Sequence, residues 1–191
     1  MIVETEHTPN PNTLKFLPGK KVSEVGPIEF LKNDKDIKVS LVNKILSLNG
    51  TVMVFFGENF ITVKKEKDLN WEDMKHGIIS EINDYYSKGN EVVVSKDLKF
   101  EKILSESTSD SKPVESNVVV NKINEILDAK IRPAVARDGG DITFKSFKDG
   151  IVTVELKGSC SGCPSSVMTL KQGVQNLLCH YIPEVKSVEA T

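Results

Sequence analysis

The apolar positions of this chain form two patterned blocks with an apolar-free stretch between them. In the first block, Ile2 to Glu6 and Thr13 to Leu17 read as short strands around Thr8-Pro9-Asn10-Pro11-Asn12, and Pro18-Gly19 closes the second. Each proline sets its own φ and pushes the preceding residue out of helical space, so the loop between them is stiff and not helical. Residues 22–37 are charged and show no period, which predicts irregular backbone. Leu41, Ile45 and Leu48 recur at helical spacing and predict a helix over Ser40 to Leu48, stopped by Asn49-Gly50. Thr51 to Phe56 and Phe60 to Lys64 predict a hairpin around Gly57-Glu58-Asn59. Trp71, Met74, Ile78, Ile82, Tyr85 and Tyr86 lie along one face of a helix from about Asn70 to Ser87.

Residues 105–113, Ser-Glu-Ser-Thr-Ser-Asp-Ser-Lys-Pro, contain no apolar side chain. Such a composition cannot bury enough surface to offset the entropy of ordering, which predicts a flexible linker over 89–116. Val92 to Val94 fit either a short strand or a loose segment of it. In the second block Ile123, Ile126, Leu127, Ile131, Ala134 and Val135 share a helical face, with Pro133 placed to bend or split the helix. Asp138-Gly139-Gly140 ends it. Strands follow at Ile142 to Phe147 and Ile151 to Leu156 around Lys148-Asp149-Gly150. A closing helix then presents Val167, Leu170, Val174, Leu177, Leu178 and Tyr181, and Val185 to Glu189 fits a last strand. The expected fold class is α/β (α+β). Residues 1–88 form an N-terminal α/β domain, 89–116 a linker and 117–191 a C-terminal domain of order α-β-β-α-β.

Composition narrows the function. The chain has 191 residues, 39% hydrophobic, with a formal net charge of −2, and neither half is basic. That excludes a nucleic-acid or membrane-surface role driven by phosphate contacts. No apolar run is long enough to span a bilayer. Three cysteines are too few for a disulfide framework and fit a reducing compartment. The N-terminus, Met-Ile-Val-Glu-Thr-Glu-His, reads as neither a secretory signal nor a transit peptide. The expectation is therefore a soluble protein of a reducing compartment.

The chemistry concentrates in Gly158-Ser159-Cys160-Ser161-Gly162-Cys163-Pro164-Ser165-Ser166. Two thiolates at Cys-x-x-Cys spacing can reach one metal centre from one tight loop. Pro164 suits the first position of the following helix, which makes Cys163 its N-cap, and the helix end favours thiolate over thiol. Gly158 and Gly162 allow close backbone approach. A common iron–sulfur cluster takes four thiolates, and this turn supplies two. Cys179 lies farther along the closing helix, roughly 24 Å from Cys163 at ~1.5 Å per residue, and cannot join them. Two chains related by a two-fold axis can complete the shell. A structural zinc half-site that bridges an interaction module, and a thioredoxin-like dithiol oxidoreductase, remain open on spacing alone. Against the redox pair, Ser159 stands where an aromatic often precedes such thiols, and the preceding strands read as an antiparallel hairpin.

Other chemistry-bearing residues read more plainly. Cys179 and His180 are helix neighbours that point about 100° apart, so a part-buried helix cysteine is the better reading. His7 and His76 lack partners at ligand spacing and read as surface residues. Asp138 and Asp141 read as a helix stop and a strand start around two glycines, and Phe55, Phe56 and Phe60 as core.

Arg132-Pro133-Ala134-Val135, Asp138-Gly139-Gly140-Asp141-Ile142 and the cysteine turn together resemble the C-terminal domain of NifU-like iron–sulfur assembly proteins over roughly residues 119–188. Thr8-Pro9-Asn10-Pro11-Asn12-Thr13-Leu14-Lys15-Phe16, and Val54-Phe55-Phe56-Gly57 with Phe60-Ile61-Thr62-Val63, resemble the N-terminal domain of the Nfu branch. The resemblance implies a scaffold or carrier, not an enzyme. It implies a [4Fe–4S] cluster, with [2Fe–2S] as the smaller alternative, bound by Cys160 and Cys163 of two subunits. It further implies a homodimer when loaded, upstream assembly proteins as the source, apo iron–sulfur proteins as recipients, and a bacterial-type cytoplasm, or the mitochondrial matrix for a processed form, as the setting. The additional cysteines of the longer NifU scaffolds are absent, which argues against assembly coupled directly to a cysteine desulfurase.

Overall fold

The computed structural model describes residues 2–95, 114–162 and 164–191, with 114–117 and 164–166 described by backbone alone. The chain folds as two compact units. Among the described residues no helix is long and apolar enough to cross a membrane.

The first unit contains β1 (Glu4–His7), β2 (Thr13–Leu17), β3 (Ile28–Leu31), α1 (Ser40–Ser47), β4 (Thr51–Phe56), β5 (Ile61–Lys65) and α2 (Trp71–Ser87). Its sheet runs β1-β2-β5-β4-β3 with every neighbouring pair antiparallel. Side chains alternate across a strand, so Leu14 and Phe16, Val54 and Phe56, and Ile61 and Val63 all point to one face. Leu41, Val42 and Ile45 of α1 and Met74, Ile78 and Ile82 of α2 close over that face as one core. Met53, Phe55 and Thr62, on the opposite face, are buried as well.

The asparagine–proline loop is a tight turn. The Thr13 N–H donates to the Asn10 carbonyl at 3.0 Å, with Pro11 at the position whose φ it presets. The buried Asn10 accepts the Asn12 N–H on its side-chain oxygen at 3.0 Å, and the Trp71 indole donates to the Pro11 carbonyl at 3.1 Å. One expectation is corrected here. Residues 22–37 are not wholly irregular, because Ile28–Leu31 form the edge strand β3. Phe30 packs edge-on against Phe56 with ring centroids 5.5 Å apart. A four-residue edge strand offers too few alternations to declare itself in sequence. Val93 and Val94 also belong to this core. Both donate their N–H to the Val22 carbonyl at 3.0 Å, although sequence places them in the linker. The linker's apolar-free stretch, 105–113, lies outside the described residues.

The second unit contains α3 (Val114–Ile126), a π-helical turn (Leu127–Ile131), α4 (Arg132–Arg137), β6 (Gly140–Lys148), β7 (Ile151–Gly158), α5 (Pro164–Tyr181) and β8 (Ser187–Ala190). β7 is central, antiparallel to β6 and parallel to β8, with α5 as the crossover. Ile123, Leu127, Ile142, Val152, Val154, Val174, Leu178 and Val188 form its core. Pro133 does not split the first helix, which stays helical without a gap from Val114 to Arg137. The loss of its donor is absorbed one residue early, where the Arg132 N–H reaches the Leu127 carbonyl in an i to i−5 bond. Both strands of the hairpin outrun the sequence expectation. Its tight turn is the pair Asp149-Gly150, both at positive φ, and its far end pairs Gly140 with Gly158. That pairing carries the hairpin up to the cysteine turn.

Asn10→Ala removes the acceptor that satisfies the Asn12 N–H and should cost the first unit about 1–2 kcal/mol. Trp71, the single tryptophan of the chain, reports this unit, so its fluorescence in a urea titration measures the loss as an earlier midpoint.

Candidate functional site

Strand β7 ends at Gly158, whose φ of +67° turns the chain out of the sheet. The turn is tied back in two places. The Ser159 N–H donates to the Gly139 carbonyl at 3.1 Å, and the Ser161 N–H and hydroxyl both donate to the Gly158 carbonyl, at 3.2 Å and 2.9 Å. Helix α5 begins at Pro164, where a missing N–H leaves no helical bond unmade.

Cys160 is only 5% exposed and joins the core of the second unit. Its seat is made by a missing atom. A Cβ on Gly140 would lie 2.8 Å from the Cys160 Sγ, 2.6 Å from the Lys157 carbonyl oxygen and 3.2 Å from the Cys160 nitrogen. Only glycine allows β6 and the turn to approach so closely. Cys163, the other expected ligand, lies outside the described residues, as does its expected N-cap role.

Cys179 is partly buried on α5 and packs against the core, and the His180 ring meets Tyr181 edge-on at 5.0 Å. His7 and His76 are exposed. Among the described residues no three His, Cys, Asp or Glu side chains converge as a metal site. A cavity of about 420 Å³ in the first unit is lined by Lys20, Ser80, Asn83, Asp84, Tyr86 and Ser87, a polar set with no soft donor for a thiophilic metal.

Asp138 ends α4, as expected, and its N–H bonds the Ala134 carbonyl. Asp141 does more than start a strand. It is buried, and its Oδ1 lies 3.1 Å from the Arg132 Nε, an ion-pair distance without the alignment of a hydrogen bond. Burial pushes the Asp141 carboxyl up from the ordinary carboxylate value, while Arg132, the Ile142 N–H and Lys157 pull the other way. Arg132 also reaches Asp128 at 2.6 Å and donates to the Ile142 carbonyl at 3.1 Å. Sequence reasoning had placed Arg132 only within a motif. Its role as a link between helix and strand depends on the π-helical turn, which no periodicity announces.

Comparison with known proteins assigns both units. A family model described as the NifU-like domain matches residues 123–189. One described as the scaffold protein Nfu/NifU N terminal matches residues 3–89. The human protein "NFU1 iron-sulfur cluster scaffold homolog, mitochondrial" is 43% identical over 99% of this chain and 71% of its own length. "NifU-like protein 4, mitochondrial" of Arabidopsis thaliana is 42% identical over 99% of this chain. The chain spans 65% of that relative's length. The solution structure of a NifU-like protein from Saccharomyces cerevisiae aligns with a TM-score of 0.46 at 26% identity, over 50% of this chain and 86% of that one.

Gly140→Ala should place a methyl group against the Lys157 carbonyl, which cannot yield as a side chain would. The expected outcome is a loss of about 1–3 kcal/mol in the second unit, the usual range for overpacking. Hydrogen exchange of the β6 and β7 amides measures it, as faster exchange at that end of the hairpin.

Proposed function

Because the chain belongs to the Nfu-type branch of the NifU-like iron–sulfur scaffold proteins, we propose that it carries a [4Fe–4S] cluster between two copies of itself and passes it to apo-proteins. The observation that carries this reading is the ligand count at the cysteine turn. Cys160 sits at the end of a strand-to-helix turn, Cys163 follows three residues later, and Cys179 belongs to the helix packing. One chain thus offers two thiolates at one place, half of the shell an ordinary cluster needs. A two-fold partner offers the other two. Against a thioredoxin-like pair stands Ser159, the residue before the first thiol, where an aromatic often precedes such a pair.

The cluster is cargo, and the chemistry is ligand exchange at iron. A recipient's thiolate attacks an iron atom and forms a new Fe–S bond as the bond to Cys160 or Cys163 breaks. The proton shed by the incoming thiol is balanced by the one the released thiolate takes up. No general acid or base is required, so we assign no catalytic residue and no enzymatic activity. The first unit contains no cysteine and cannot supply a thiolate to iron. We assign it recognition of recipients or upstream assembly proteins. The relatives' names place those proteins in mitochondria. That agrees with the organelle alternative read from sequence and lends no support to the cytoplasmic one.

Anaerobic reconstitution followed by Mössbauer spectroscopy and mass determination tests the reading. Brown protein with about four irons per dimer is expected, lost in Cys160→Ser and in Cys163→Ser and retained in Cys179→Ser. A colourless protein holding one zinc per dimer would overturn it. Removal of residues 1–88 should leave iron loading unchanged and slow delivery to an apo-recipient, read by recovery of the recipient's activity. Equal delivery rates for both forms would refute the recognition role.

A further inference from the structure

Arg132 occupies a joint in the second unit. The π-helical turn ends at Ile131 and α4 begins at Arg132. A π-helical turn takes up an additional residue, which re-aims everything after it by about one residue's rotation, ~100°. The side chain so aimed meets three oxygen-bearing groups. Two are carboxylates, Asp128 at 2.6 Å and Asp141 at 3.1 Å, and the third is the Ile142 carbonyl at 3.1 Å. Asp141 and Ile142 are the residues that directly follow Gly140 in β6.

Gly139 and Gly140 are in turn the two residues that hold the cysteine turn. The Gly139 carbonyl accepts the Ser159 N–H, and Gly140 leaves the space filled by the Cys160 Sγ. A continuous path therefore runs from the guanidinium through the start of β6 to the thiol. A carboxylate as buried as Asp141 is costly to desolvate unless a cation stays beside it. That cost ties β6 to α4 at this point, whereas apolar packing would tolerate sliding. The planar fork of arginine can face two carboxylates and a carbonyl at once, which a lysine ammonium does not replace.

We propose that Arg132 is a positioning residue for Cys160: held by Asp128, Asp141 and the Ile142 carbonyl, it fixes the Gly139–Gly140 step against the cysteine turn and so sets where the thiolate meets iron. This inference rests on the carrier reading for its purpose and on the geometry alone for its mechanism.

The test uses the full chain and two kinds of readout. In protein stripped of iron with a chelator, iodoacetamide labels Cys160 and Cys179, and peptide mass spectrometry follows each rate. Cys179 belongs to the same unit and serves as the reference. Arg132→Gln should raise the rate ratio of Cys160 to Cys179 about threefold or more, because the opening is local and not global. Arg132→Lys should fall between that variant and the unmodified protein. In reconstituted protein, Arg132→Gln should speed cluster loss to a chelator about tenfold, the lower end of the effect of removing a group that orients a metal ligand. If Arg132→Gln proves too unstable to purify, Asp141→Asn carries the same expectation for the ratio. A ratio unchanged in a folded variant, or rates that rise together for both cysteines, overturns the proposal. If the ratio moves while the unmodified protein never takes up iron, the positioning role stands and the carrier reading fails.

Discussion

The contact on which the second unit depends is the approach of Gly140 to Cys160. A methyl group at that position would meet the sulfur, a backbone carbonyl and a backbone nitrogen at once. Without one, β6 pairs with β7 as far as Gly158, the turn folds back onto the strand, and the thiol enters the core. Burial of a small soft residue is common for cysteine in general. Here the same burial limits where the sulfur can be, which in the proposed carrier would leave the thiolate little entropy to lose on binding iron.

The helical side of the unit is built to the same end. Pro133 cannot donate a backbone hydrogen bond, and the chain responds with a π-helical turn just before it. That local irregularity directs Arg132 toward Asp141 and Ile142. A backbone defect, a buried carboxylate and two glycines thus act in series. Each is unfavourable or neutral for stability taken alone, and each makes sense as a part of the support under one thiol.

The first unit follows a different economy. Its sheet has one face under two helices and carries chemistry of an ordinary structural kind. The asparagine–proline loop, a conspicuous sequence feature, is a satisfied turn: Asn10 is buried and hydrogen-bonded, and Pro11 presets the bend. Most of this unit was legible because long periodic elements dominate it. The edge strand Ile28–Leu31 was not, since its pairing with β4 supplies what four residues cannot signal. Val93 and Val94 were left open between strand and linker for a related reason. Two valines beside a polar stretch resemble a linker until a carbonyl, that of Val22, is found to receive both of their N–H groups.

The inventory is legible in the sequence: two patterned blocks, a helix perturbed near Pro133, a hairpin leading to a Cys-x-x-Cys turn, and too few thiolates for one chain to complete a cluster. These follow from local rules, namely period, proline geometry and the number of ligands. The three-dimensional packing is needed to see that Cys160 is seated in the core, that Gly140 is what admits it, and that Arg132 reaches across to Asp141. Those facts join residues far apart in the chain. They depend on the register of β6 against β7 and on the rotation introduced by the π-helical turn, and neither quantity is written in the spacing of any motif.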